Sequence, residues 1–224
     1  GSCFEADILA AFDAAIHDGV HVLSVSLGND GEPYDYFDDA ISIGSFHAVR
    51  RGISVVCSAG NSGPKPSSIS NLAPGRVAVG ASTMDREFPS YIVFNGTKIK
   101  GQSMSETSLK GKESYPMIDS AEAAAPGRAV DDAKICLQGS LDPTKVKGKI
   151  VVCLRGTSAR VAKGLTVLQA GGAAMVLAND AASGNEIIAD AHLLPATHIR
   201  HGDGLTLYNY LKSAKSPEGY IEKA

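Results

Sequence analysis

Short apolar runs set between amphipathic stretches constrain this 224-residue chain more than any other feature. Residues 21–27 are rich in Val, Leu and Ser with little polar alternation, which predicts a strand covered on both faces, as in a parallel sheet. Ahead of it, Ile8, Leu9, Phe12, Ala15 and Ile16 share one helical face, and Gly19 stands where that helix should stop. Asp38 or Asp39 can start a second helix carrying Ile41, Phe46, Ala48 and Val49 and ended by Gly52. A strand over residues 53–57 follows at once, and residues 76–81 supply a third. Such a βαβαβ series crosses over right-handed and leaves its functional residues at the C-terminal ends of the strands. Ser26-Leu27-Gly28 and Ser58-Ala59-Gly60 both fall there.

The pattern changes from about Ser103. A strand over 149–154, a helix over 159–170 ended by Gly171-Gly172, a strand over 173–177 and a helix over 202–212 make a small α/β unit of their own. Charge shifts with it: residues 1–95 carry a net −6 and residues 96–224 a net +3. That asymmetry supports two domains. A whole-chain charge of −3 with 44% hydrophobic and 20% charged residues is that of a soluble globular protein, and advertises no nucleic-acid partner. No apolar stretch approaches the roughly 20 residues that span a bilayer, and no signal peptide opens the chain, so no membrane partner is expected.

The segment Ser58-Ala59-Gly60-Asn61-Ser62-Gly63-Pro64 delivers an amide side chain into a glycine-flanked turn directly after a buried strand. A carboxamide N–H held there can stabilise negative charge developing on a carbonyl oxygen, as in an oxyanion hole. The same residues also suit an ordinary Asn-Gly turn. Gly28, Ser58 and Gly60 are small enough to let an extended peptide backbone approach, or simply to pack tightly at strand ends.

Read together, residues 7–21, 22–28, 36–52, 53–64 and 77–91 resemble the middle of the catalytic domain of plant subtilases, the cucumisin-like branch of the subtilisin-like serine endopeptidases. The resemblance continues through Lys98-Ile99-Lys100-Gly101-Gln102-Ser103, Gly139-Ser140-Leu141-Asp142-Pro143, residues 146–153 and residues 178–196, and so spans essentially the whole chain. It implies a partial subtilisin-like parallel sheet with helices over residues 1–102, followed by a smaller protease-associated α/β domain over 103–224. It also implies roles. Asn61 would be the oxyanion-hole donor, Ser26, Leu27 and Gly28 one wall of the substrate cleft, and Ser58, Ala59 and Gly60 the other. Cys136 and Cys153 match cysteines that pair in the accessory domain, whereas Cys57 reads as a buried free thiol and any partner of Cys3 as lying elsewhere. The family's catalytic Asp and His precede this stretch and its nucleophilic Ser follows it, so the resemblance implies an internal segment without the triad.

Three segments imitate triad members. Gly156-Thr157-Ser158-Ala159-Arg160 looks like a nucleophile turn but follows a strand of the accessory domain and lacks the expected Pro. Gly101-Gln102-Ser103-Met104-Ser105 falls at the domain junction, and His198 to Asp203 reads as a strand end and turn before a helix. Because a triad is recognised by geometry rather than by order, these remain candidates at this stage.

Two functions compete. The chain is either one piece of a peptide-hydrolysing serine protease, inactive alone, or a non-catalytic fragment whose accessory domain binds a protein partner. The first reading calls for a peptide or protein substrate and for the remaining protease segments, or a second copy, as partners. No Cys-x-x-Cys or His-Glu-x-x-His spacing occurs, so neither a metal nor another cofactor is expected. Asn95-Gly96-Thr97 is an N-glycosylation sequon as well as a hairpin-turn sequence. The family's setting implies secretion to the apoplast or cell wall, with the vacuole as the alternative.

Overall fold

The computed structural model describes residues 3–28, 34–63, 66–82 and 84–223 and divides into two compact units, Gly1–Met84 and Asp85–Ala224. Among the described residues no helix is long and apolar enough to cross a membrane.

The first unit is a three-stranded parallel sheet with two helices. Helix α1 (Glu5–His17) buries Phe12 and ends where Gly19 takes a φ of +72°, its N–H returning to the Ile16 carbonyl. Strand β1 (Val22–Val25) follows. Helix α2 (Ala40–Arg50) starts at Asp39, whose carboxylate accepts from the Ile41 and Ser42 N–H groups at 3.1 Å each, a standard N-cap. Strand β2 (Ser54–Ser58) and strand β3 (Val77–Val79) complete the sheet in the order β1-β2-β3, every pairing parallel. Leu23, Val25, Val55 and Cys57 point one way and pack with Phe12, Ile41 and Ala48 of the helices. The strand residues between them point the other way and are largely exposed, with Val77 at 59% and Val79 at 51%. The sequence predicts a strand over residues 21–27 covered on both faces; among the described residues the second face is left largely exposed. Phe46, placed on the buried side of α2 by periodicity, is 57% exposed instead.

The second unit is a closed barrel. Hairpin strands β4 (Pro89–Phe94) and β5 (Thr97–Gln102) precede β6 (Tyr115–Asp119), β7 (Ile150–Leu154), β8 (Ala174–Ala178), β9 (Ala196–Ile199) and the C-terminal β10 (Glu218–Lys223), closing in the order β10-β4-β5-β9-β8-β7-β6. Strands β6 to β9 pair in parallel, and β10 seals the barrel antiparallel to both β4 and β6. Short helices α3 (Val130–Lys134) and α4 (Pro143–Val146) lie between β6 and β7, while α5 (Arg160–Gln169) and α6 (His201–Ser213) follow β7 and β9. Alternate residues of β7 and β8 feed two cores: Val151, Cys153, Met175 and Leu177 meet Val167 of α5, while Ile150, Val152, Ala174 and Val176 meet Leu207 of α6. Burial on both faces is why these strands read as unbroken apolar runs.

The resemblance puts the junction at 102/103, while the compact units of the structure divide between Met84 and Asp85. The reason is pairing. All six residues of β4 pair with β5, β4 also carries β10, and β5 meets β9 at Gln102 and His198. Gly101 is what permits that last seam: a Cβ there would run into Thr197 Oγ1 and come within 2.5 Å of the His198 carbonyl. Nearby, the Ser90 and Thr197 hydroxyls share a buried 2.6 Å hydrogen bond between β4 and β9.

Cys136 and Cys153 form the disulfide, and Cys57 is a buried free thiol. Closing a loop of sequence separation 17 is worth about 3 kcal/mol in the chain-entropy account. The residue before Cys136 is tied down separately, because the fully buried Lys163 of α5 donates to the Ile135 carbonyl and to Ser158 Oγ, both at 2.6 Å. Burial, reinforced by the positive charge of Arg155, pulls this ammonium from 10.5 down to about 8. A folded pKa below the unfolded one means that the unfolded chain holds the extra proton in that window, so stability rises with pH across it. Relative to Lys163→Met, the native chain should gain about 1 kcal/mol between pH 7 and pH 9. Urea unfolding of both proteins at both pH values checks this, and equal responses to pH would refute it.

Candidate active site

The sequence-predicted site residues gather at the C-terminal ends of β1 and β2. Ser26, Leu27 and Gly28 continue β1 beyond its last paired residue and are exposed. Ser58 ends β2, and Ala59 and Gly60 follow it. Gly60 has a φ of +86°, a conformation that glycine adopts freely and other residues do not, and it turns the chain so that Asn61 stands exposed at the rim. Pro64, the last residue of the predicted turn segment, lies outside the described residues. The backbone of this wall is held on both sides: Ala59 N–H donates to the Val79 carbonyl at 2.9 Å, and Ser70 N–H donates to the Ala59 carbonyl at 3.0 Å.

Two residues that sequence reasoning missed complete the arrangement. The Asn71 side-chain amide donates to the Leu27 carbonyl and to the Ser58 carbonyl, both at 2.8 Å, and Ser58 Oγ adds a 3.3 Å bond to the Leu27 carbonyl. Ser70 Oγ sits in the space a Cβ would need at either wall glycine, 2.7 Å from that position on Gly60 and 3.1 Å from that on Gly28. These glycines therefore make room for the chain's own Ser70, the tight packing that the sequence offered as one of two readings. Only the Ser- and Asn-rich stretch at residues 67–71, interrupted by Ile69, could have flagged this loop, and such stretches normally mark turns.

Beneath the wall, burial pushes the Cys57 thiol up despite the neighbouring Arg76 guanidinium. Arg76 also reaches Ser42 Oγ at 2.8 Å and Asp39 at 3.5 Å, linking β3 to the start of α2.

Among the described residues, none of the triad look-alikes is assembled with an Asp and a His. Ser158 Oγ meets Lys163 and the Ile135 carbonyl. Ser103 Oγ accepts from the Ser105 N–H, and Ser105 Oγ donates to the Leu194 carbonyl. His198 is buried, with Nε2 at 2.6 Å from Asn179 Oδ1 and Nδ1 accepting from the Ile188 N–H at 3.0 Å. His201 Nδ1 lies 3.1 Å from the Asn179 carbonyl. These histidines brace the long connection between β8 and β9, where Arg160 also grips Asp190 with two nitrogens. Among the described residues no group of three or more His, Cys, Asp or Glu side chains could hold a metal ion.

A strand-end rim with an exposed amide in the first unit, and a barrel stapled by one disulfide in the second, define an α/β protein with a candidate site on its first unit. Comparison with known proteins narrows the class. Residues 113–207 match the PA domain family. The chain is 57% identical over 221 residues to the subtilisin-like protease SBT5.4 of Arabidopsis thaliana and 53% identical over 220 residues to SBT5.3 of the same plant, covering 98% of this chain in both cases. It spans 28% of the length of each of these relatives. Among solved structures, the subtilisin-like protease Apa1 from Pseudoalteromonas sp. AS-11 aligns with 96% of this chain and 57% of its own at 14% identity and a TM-score of 0.39, too low to argue from. The chain belongs to the plant subtilisin-like proteases and includes their PA domain.

Proposed function

We propose that this chain contributes the oxyanion-hole donor Asn61 and both walls of the substrate cleft to a secreted serine endopeptidase whose Asp, His and Ser come from other segments. The observation that carries this reading is the placement of Asn61: exposed, just past the end of a buried parallel strand, beside two walls whose carbonyls are tied together. In the reaction a serine attacks the peptide carbonyl, a histidine takes and returns the proton, and the Asn61 amide donates to the oxygen of the tetrahedral intermediate. By itself the chain should not hydrolyse peptides. Its peptide or protein substrate lies extended along Ser26, Leu27 and Gly28.

The bare face of the β1-β2-β3 sheet supports a partner. Parallel sheets are covered on both faces, and leaving even about 500 Å² of apolar surface in water forfeits about 12 kcal/mol at 25 cal/mol per Å². The remaining protease segments are the covering that fits; a second copy is the other. Native mass spectrometry with a serine-reactive fluorophosphonate tests both claims at once. Additional chains carrying the label support the reading, whereas a monodisperse, unlabelled 23.2 kDa species would sink it.

That last outcome would favour a binding role for the PA domain. One observation points there: Val161, Leu165 and Leu168 of α5 are exposed at helical spacing, an apolar stripe on the outside of the barrel.

Asn95 is exposed at the tip of the β4–β5 hairpin, with φ values of +44° there and +73° at Gly96. Protein made through a plant secretory pathway should carry a glycan at this asparagine. Glycosidase treatment should lower its mass, and Asn95→Gln should abolish the shift; an unchanged mass on treatment of the native chain would remove both the glycan and an argument for secretion.

A further inference from the structure

We infer that Asn71 is a positioning residue that sets the spacing of the two cleft walls, an inference that rests on reading this site as a peptidase cleft. The ladder between β1 and β2 ends at the pair Val25 and Cys57. Beyond it, Leu27 and Ser58 have no ladder pairing to hold them side by side, yet these residues carry the walls. Asn71 Nδ2 bridges the gap, donating one hydrogen to each of the two carbonyls at 2.8 Å, with the longer 3.3 Å bond from Ser58 Oγ to the Leu27 carbonyl beside it.

Few side chains could replace it. Asp has no N–H, Ser has a single donor, and Gln carries the same amide one methylene farther out. The backbone is matched as well, because Asn71 has a φ of +61°, in the left-handed region that Asn tolerates better than most residues. Its neighbour wedges the same gap from below. Ser70 Oγ fills the space beside Gly28 and Gly60, with no hydrogen-bond partner among the described residues, so the loop both spaces the walls and ties them.

Ser58 lies three positions before Asn61 on the same wall. The staple therefore fixes where the Asn61 amide stands relative to a peptide lying on the opposite wall. A displacement of about 1 Å at a reacting centre can cost about 100-fold in rate.

Two measurements test this. The first uses the chain alone: in 15N NMR the two Asn71 side-chain amide protons should exchange with solvent far more slowly than those of exposed asparagines, and exchange at the free-amide rate would overturn the staple. The second uses the assembled protease and a peptide series varied at the residue before the scissile bond. Asn71→Ala should lower kcat/KM by about 10- to 100-fold and flatten the preference among those peptides. Asn71→Asp should show the same loss near neutrality, where a carboxylate faces two carbonyls, and should recover relative to wild type on acidification as the protonated acid supplies one bond. That recovery is something a purely structural role would not produce, and Asn71→Asp also serves where Asn71→Ala fails to fold. Unchanged kcat/KM and selectivity in both variants, with Asn61→Ala strongly impaired, would refute the role of Asn71 and leave the oxyanion reading standing. An unimpaired Asn61→Ala would remove that reading and the role of Asn71 with it.

Discussion

Asn61→Ala in the assembled protease is expected to lower kcat by about 100- to 1,000-fold, roughly 3 to 4 kcal/mol, with little change in KM. The magnitude is that measured in subtilisin, the reference case for removing an oxyanion-hole side chain, and is carried over to this relative rather than calculated for it. The split between constants follows from when the bond matters. In the proposed role the Asn61 amide would meet its acceptor fully only once the carbonyl oxygen had become an oxyanion, so the ground-state complex would lose little. Steady-state kinetics on one peptide substrate, with circular dichroism to confirm the fold, decide the matter. A variant whose KM rises while kcat holds would move Asn61 from oxyanion stabilisation to substrate binding. The exposed position of Asn61 makes the comparison clean, because truncation there leaves no buried group without a partner.

Acid should loosen the second unit through His198. This imidazole is buried in the barrel, and its pKa is pulled from 6.5 down to about 4, chiefly by burial. In the neutral form Nδ1 accepts from the Ile188 N–H and Nε2 donates to Asn179 Oδ1, while the Ile188 carbonyl, 3.1 Å from Nδ1, partly offsets the effect of burial. Asn179 passes the restraint on, donating to the Gly184 and Glu186 carbonyls. With the folded pKa below the unfolded one, the unfolded chain takes up a proton first as pH falls, and stability drops through that window. The loss attributable to this group should be about 2 kcal/mol between pH 7 and pH 5, nearing 3 kcal/mol at pH 4. Burial likewise lowers the pKa of His192, on the same connection, which adds to the trend. Urea titrations of the native chain and of His198→Gln across pH 4–7 provide the check. The variant should show a markedly shallower decline, and parallel declines would show that the acid response arises elsewhere.

Much of the chain was legible because its causes are local. The Asp39 cap, the stop at Gly19 and the apolar runs of β2, β7 and β8 are each readable from a few adjacent residues, and the structure places those elements within a residue or so of where periodicity puts them. The grouping of Ser26 to Gly28 with Ser58 to Gly60 was also within reach, since adjacent parallel strands bring their C-terminal ends to one edge. The disulfide and the assignment of Asn61 came from resemblance instead, because nothing in the spacing of four cysteines or in an Asn-Gly turn selects them.

What the sequence by itself determined is thus the helices and strands of the first unit, β7, α5, β8 and α6 of the second, and the edge of the sheet where the candidate site lies. Tertiary structure decided the rest. The barrel recruits a hairpin from residues 89–102 and a strand from the C-terminus, moving the junction to Asp85. Lys163 and His198 end up buried although their types favour water, and Ser70 and Asn71 leave an unremarkable polar loop to wedge and bind the two walls. Each of these depends on partners far away in the chain. Hydrophobic periodicity reports which side of an element is apolar, but pairing, desolvation and a shared hydrogen-bond donor arise only when distant segments meet.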